Sequence, residues 1–528
     1  MEERYEKLIE LFGNDDSYDE ESDDGKEDIM FKKQMLKGFQ ESMINAIIEQ
    51  KYRIFKTKSI WGAERLVVNF ASGLNSCKEH TVHVATNEFD PKYCFDECKN
   101  LNIRSYGWVR LFDRLSQIVS ASLNNLLLAV YLIFSGFGSQ SSILSYDVIF
   151  IDIIAISAVL LKAYFTLLKI YDFLFSFKGS ERKYPLIIFY CHFPDKFLAK
   201  PKSVLHAMFR IPFDLLEQFY MWFPDQVIFN SKFTRSQYSR AFPVLSKAYP
   251  QDNLHVIYPS IVEIEKQVSS SIPGFIKTNY ILSLNRFDAK KNLERAIYLC
   301  QFMKTLNFAN KPYFIIAGGF DPKNSENCLV LAQLQALARQ LDLSWAEGLE
   351  DSRLSPAIDI VFLKGVSASL KFELLDSAKL LFYTPSNEHF GIIPLEAMSL
   401  GGAFVFAMAS GGPAEYIQHK KTGYLIPDHQ KNTQDSFLNT LSTEELADFK
   451  LGLEMAITRA DSAAAKNVKE TACQFAKSNF KIEASISRLL EIYEGSRKKV
   501  FTCKEHFMSL LVVISILASI SFFMKASS

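Results

Sequence analysis

Glu388 and Glu396 stand eight positions apart in the stretch Ser386-Asn387-Glu388-His389-Phe390-Gly391-Ile392-Ile393-Pro394-Leu395-Glu396-Ala397-Met398. The first half reads as a loop and the second as a helix. Pro394 suits the first helical position, where its missing N–H has no partner to lose. Backbone amides from Phe390 through Gly391 and Ile392 to Ile393 would then lie at a helix N-terminus, where anions bind. A diphosphate fits such a site. Glu396, in the first turn, would reach a ribose diol, and Glu388, with His389 in the loop, the hydroxyls of a sugar. Glu396 in that turn also complements the helix dipole with no ligand at all.

Two bases stand in Asn285-Arg286-Phe287-Asp288-Ala289-Lys290-Lys291-Asn292. Arg286 can clamp a phosphate as a fork and Lys291 as a point charge, which stabilises negative charge on a leaving nucleotide. A solvated basic turn is the ordinary alternative. His192, in Tyr190-Cys191-His192-Phe193-Pro194-Asp195, ends an apolar strand and would sit on a cleft floor, although a lone histidine is more often structural. Ser410-Gly411-Gly412-Pro413 is a glycine turn into a helix, open to close approach by a ligand or a plain turn.

The elements that must position these residues alternate short β-rich runs with amphipathic helices from about residue 52 to 480, which predicts parallel α/β sheets. In the second half, strands are expected at 280–284, 312–317, 360–363, 379–383, 403–408 and 423–426, with a helix over 291–306. In the first half they are expected at 81–85, 148–151, 186–190, 226–229 and 254–258. The expected division is an acidic disordered tail (1–50), an N-terminal Rossmann-like acceptor domain (51–265), a linker (266–278) and a C-terminal Rossmann-like nucleotide-sugar domain (279–470). C-terminal helices (471–500) return toward the first domain. Two doubly wound domains would enclose a cleft at the carboxyl ends of their strands.

Charge and hydropathy add bounds. The 528 residues carry 59 basic and 59 acidic side chains, so no global field favours nucleic acid as a partner. Residues 1–30 hold 13 acids and 3 bases, a local net of −10 that repels itself. The eight cysteines are scattered without CxxC spacing, as in reduced cytosolic chains, and Cys94 with Cys98 alone would make a poor metal site. Neither an Asn-x-Ser/Thr sequon nor an Asp-x-Asp triplet occurs. Residues 507–524, FMSLLVVISILASISFFM, are uncharged and about 27 Å long as a helix, enough to span a bilayer. Arg497, Lys498, Lys499 and Lys504 precede them, which puts the body on the cytosolic side. The apolar stretch 118–134, interrupted by Asn124 and Asn125, reads as a helix on a membrane surface or in a core.

Together with Asn230-Ser231-Lys232-Phe233-Thr234 and Tyr258-Pro259-Ser260, these blocks resemble a family of retaining GT-B glycosyltransferases with a Glu-x7-Glu element. Within it they look like the dolichol-linked-oligosaccharide α-1,3/1,6-mannosyltransferases of asparagine-linked glycosylation, over about residues 61–492. The resemblance implies a GT-B fold, GDP-mannose as co-substrate and no metal or other cofactor. It implies Man1GlcNAc2-diphosphate-dolichol as first acceptor at the cytosolic face of the endoplasmic reticulum. The bilayer and other glycan-assembly transferases follow as partners.

By the same resemblance, Arg286 and Lys291 bind the donor diphosphate, Glu396 the ribose, Glu388 the mannosyl hydroxyls and His192 the transferred sugar. Gly62 belongs to the family's Gly-Gly-Ala-Glu-Arg loop, here Trp61-Gly62-Ala63-Glu64-Arg65, in which Trp61 replaces the first glycine. That departure favours one alternative, a catalytically impaired relative serving as a membrane scaffold; a second alternative is a transferase for another lipid acceptor.

Overall fold

The computed structural model describes residues 62–497, apart from 77–79, 81, 87–93, 106–116, 136–142, 176–183, 199–202, 262–271, 273–275, 278, 307, 309–310, 351–354, 356 and 430–435. The acidic tail, Trp61 and the apolar run 507–524 lie outside the described residues.

The second domain is built on a seven-stranded parallel sheet. Its strands are β7 (Tyr280–Leu284), β8 (Tyr313–Gly318), β9 (Trp345–Glu347), β10 (Ile360–Lys364), β11 (Leu380–Tyr383), β12 (Phe404–Met408) and β13 (Tyr424–Ile426). They lie in the order β13-β12-β11-β7-β8-β10-β9. β7, β8, β11 and β12 are buried at every position, because helices cover both faces of a parallel sheet and leave no wet side. One face carries Ile281, Phe314, Ile316, Phe362 and Phe406; the other carries Leu282, Ile315, Val361, Leu381 and Val405. The chain runs from β7 to β8 on one side and returns with β11 on the other. The loops after β7 and β11 therefore flank the crevice where strand order reverses, the usual ligand site of an open α/β sheet.

The first domain holds a four-stranded parallel sheet in sequential order: β3 (Val148–Asp152), β4 (Leu186–Cys191), β5 (Gln226–Phe229) and β6 (Leu254–Val256). A separate parallel pair joins β1 (His83–Thr86) to β2 (Asn102–Ser105), a strand that apolar patterning does not announce. The helix Gln117–Ser135 packs along Ile156–Phe175 and buries Ser122, Asn124, Ala129 and Ile133. No helix among the described residues is long and apolar enough to cross a membrane.

Two helices tie the domains together. Ala463–Asn479 lies on the helix Ile392–Leu400, and Ile482–Arg497 crosses to the first domain, where it packs on Gly62–Ser76. There Ile486, Leu489 and Ile492 share a core with Leu66, Phe70 and Tyr190. Of the expected linker, Ile272 and Ile276 are buried in the core of the second domain.

Candidate active site

The loop after β7 differs from the expected continuous helix over 291–306. Asp288 caps a 3-10 turn, Ala289–Lys291, by accepting from the Lys290 amide. Asn292 then adopts a left-handed conformation at φ 48°, and the α-helix begins only at Glu294. Lys291 consequently projects from a turn. The glycines of Gly318-Gly319 press on this loop: Gly318 has a φ of 154°, and a Cβ on Gly319 would lie 3.3 Å from the Arg286 side chain.

The loop after β11 is anchored to the same turn. Thr384 Oγ1 donates to the Lys291 carbonyl at 2.7 Å, and Asn292 Nδ2 to Ser386 Oγ at 3.2 Å. Arg295, 3% exposed, donates to the Thr384 carbonyl, Ser386 Oγ and Asp428. With both loops fixed, the Lys291 ammonium pairs directly with the Glu388 carboxylate, which also accepts from Tyr383 Oη at 3.3 Å. Burial alone would raise the Glu388 carboxyl. Lys291, aided by the charges of His389 and Arg286, instead holds it below its ordinary value. Arg286 is the more open cation, its side chain 44% exposed, with Asp288 at 3.5 Å.

His389 stacks on Phe193 of the first domain at 3.7 Å between ring centroids and 8° between planes. Burial pushes its imidazole down to about 4, with Lys291, Lys290 and His192 acting in the same direction against Glu388. His192 therefore lies in the field of this cluster. Its Nε2 is 2.6 Å from Asp152 Oδ1, its carbonyl accepts from Asn230 Nδ2 at 3.0 Å, and its ring is a quarter exposed.

The helix after the loop is Ile392–Leu400, capped by Gly391 at φ 76°. Pro394 is therefore its third residue rather than its first, and Glu396 lies beyond the first turn. The chain turns earlier than Pro394 requires because Gly391 alone fits the left-handed cap: a Cβ there would sit 3.0 Å from Pro413 and 3.2 Å from Tyr383. Glu396 is held by Lys371 of the helix Ala368–Ser377 at 2.8 and 3.0 Å. Phe390 is buried, its ring near Tyr258, Tyr416 and Phe480. Ile392 opens the helix, half-buried. Gly411 and Gly412 approach the Glu388 loop closely. A Cβ on Gly411 would fall 2.6 Å from the Glu388 amide, and one on Gly412 2.7 Å from the Phe390 carbonyl carbon. Gly62 is the first residue of Gly62–Ser76, on the opposite domain.

The structure thus gathers Arg286, Lys291, Glu388 and His389 at one switch point, with His192 facing them and Glu396 one turn further along. Sequence reading left the clasp between the domains without a role. Ser231 Oγ donates to the His389 carbonyl at 2.5 Å. Glu415 accepts from the amides of Lys232 and Phe233, at 2.9 and 2.6 Å, and from Tyr258 Oη at 3.0 Å. The blocks 230–234 and 258–260 signalled importance but not this contact. Among the described residues no group of three or more His, Cys, Asp or Glu could hold a metal ion. Cys98 is buried, its thiol raised to about 11 mainly by that burial.

Such a cluster can hold a diphosphate between two cations while a carboxylate faces a sugar. Residues 269–448 match the glycosyl transferases group 1 family. The glycosyltransferase from Rickettsia africae shares the fold at a TM-score of 0.52 and 15% identity, covering 83% of this chain and 96% of that one. The sucrose-phosphate synthase of Thermosynechococcus elongatus does so at 0.50 and 16%, covering 80% and 91%. The chain is 35% identical to alpha-1,3/1,6-mannosyltransferase ALG2 of Candida glabrata, over 74% of this chain and 81% of that one. Against the enzyme of that name from Saccharomyces cerevisiae the figures are 34%, 70% and 72%. With that identity over most of both chains, and a GT-B fold bearing the Glu-x7-Glu block at its switch point, the chain belongs to the α-1,3/1,6-mannosyltransferase family of glycosyltransferases.

Proposed function

We propose that the chain moves mannose from GDP-mannose to Man1GlcNAc2-diphosphate-dolichol in α-1,3 linkage, then to the Man2 product in α-1,6 linkage, at the cytosolic face of the endoplasmic reticulum membrane. The observation that carries this reading is the Lys291–Glu388 pair beside Arg286 at the sheet's switch point. Arg286 and Lys291 take the donor diphosphate and offset the charge that grows on it as the sugar leaves. Glu388, kept ionised by Lys291, orients the mannosyl hydroxyls. Glu396 shares its carboxylate between Lys371 and the ribose, and His192 faces the transferred sugar from the other domain.

The bond from the anomeric carbon to the diphosphate oxygen breaks. A bond to the acceptor oxygen forms on the same face, and the acceptor proton passes to the departing phosphate. Configuration is retained, and no metal is required because the two cations supply the charge. The test is incubation of the full chain with GDP-mannose and synthetic Man1GlcNAc2-diphosphate lipid, followed by mass spectrometry. Products heavier by one and then two hexoses are expected. No added hexose, or transfer from UDP-glucose as fast as from GDP-mannose, overturns the reading.

A further inference from the structure

The helix Val204–Tyr220 has an inverted polarity. Val204, Met208, Phe209, Ile211 and Leu215 on it are exposed, whereas the ionisable Arg210 and Glu217 are buried, at 6% and 4% exposure. The two side chains are seven residues apart, two turns along one face, and burial pushes the Glu217 carboxyl up to about 7. Both grip the turn that follows His192. Glu217 accepts the Asp195 amide on one oxygen at 2.7 Å and the Lys196 amide on the other at 3.0 Å. Arg210 donates to Asp195 Oδ2 at 2.9 Å and to Asp214 at 3.0 Å. Ionisable groups buried where apolar side chains would pack add little net stability, so what they contribute is geometry.

We propose that Glu217 and Arg210 are positioning residues for transfer, setting His192 in the cleft by clamping both amides and the side chain of the Asp195 turn. His192 is attached to the rest of the domain at Asp152 and Asn230. Three residues on, the Glu217 clamp stops the strand end from rotating away. Phe193, between the two, carries the stacking contact with His389, so a slip of the turn also displaces the sugar side of the cleft. This rests on the proposed contact of His192 with the transferred mannose.

The experiment compares Glu217→Gln, Arg210→Lys, His192→Ala and the double variants in the full chain. It reads kcat, KM for GDP-mannose and the melting shift produced by GDP. In Glu217→Gln the new amide can accept from one backbone N–H but sets an NH2 group against the other. In Arg210→Lys the buried charge stays while the shorter side chain draws its donor back from Asp195 and Asp214, so one variant stands if the other fails to fold. Each single variant is expected to lower kcat by about tenfold or more, the scale of a small misplacement. KM and the GDP shift stay within about twofold, because the diphosphate cations sit on the other domain. In the His192→Ala background either change is expected to cost less than about twofold, as befits groups acting through one residue. Losses that multiply in the double variants, or a normal kcat in both singles, overturn the clamp alone. A normal kcat for His192→Ala removes the sugar contact and the clamp with it.

Discussion

The Lys291 ammonium meets the Glu388 carboxylate across 97 residues of chain, with each side chain about one-sixth exposed. That single contact joins the loop after β7 to the loop after β11. It keeps a carboxylate ionised where burial would otherwise neutralise it. Lys291→Ala should abolish GDP-induced thermal stabilisation and lower kcat by about 10²-fold or more. The remaining carboxylate loses its partner, so melting should fall, toward the low end of the ~3–5 kcal/mol typical of a broken buried pair. Normal turnover with Lys291→Ala or Glu388→Ala would remove the pair from the site.

Gly411→Ala tests whether the glycine turn shapes the Glu388 loop. At φ 66° an alanine is strained, by about 1–2 kcal/mol, and its Cβ would strike the Glu388 backbone. Transfer should drop by about tenfold or more with a modest loss of melting temperature. Unchanged kinetics would mean that the loop tolerates displacement.

Glu415 is a clasp. It accepts the first two amides of the helix Lys232–Ala241 of the first domain, whose cap is Ser231, while belonging to the second. Glu415→Ala should cost about 1–2 kcal/mol and raise KM for the donor, because closure would have to come from binding. Small-angle scattering should show a larger radius of gyration. A variant as compact as the parent contradicts the clasp.

His389 gives a pH dependence of calculable sign. Its imidazole is depressed to about 4 in the fold, mainly by burial, against about 6.5 when unfolded. Between those values the unfolded chain binds the extra proton, so stability is complete above pH 6.5 and declines as pH falls toward 4. His389→Phe keeps a ring to stack on Phe193 and should flatten the melting temperature over that window. An unchanged slope would assign the dependence elsewhere.

Deletion of 505–528 should release the protein from membranes in alkaline carbonate, with GDP affinity unchanged. Retention of the truncated chain would transfer the membrane contact to the apolar helices Gln117–Ser135, Ile156–Phe175 and Val204–Tyr220.

By itself the sequence determined the parallel α/β plan and the strands β4, β7, β8, β10, β11 and β12. A strand buried on both faces must be apolar at nearly every position, and that is a local signal. It also placed Arg286, Lys291, Glu388 and His192 at strand ends, because glycine, proline and polar residues interrupt the apolar runs there. β1, β3, β5, β6 and β13 were expected as well, at 81–85, 148–151, 226–229, 254–258 and 423–426, whereas the short β2 and β9 carried no such mark. The early cap at Gly391 was obscured by Pro394, which is tolerated anywhere in a first turn. Only the tertiary structure decided which loops meet. That β11 lies beside β7, while β8 and β10 go to the other side, is a matter of strand order. Strand order is set by packing among residues a hundred positions apart, the Glu415 clasp joins residues 183 apart, and even the grip of Glu217 on the His192 turn spans 21 and 22 positions, beyond any local pattern.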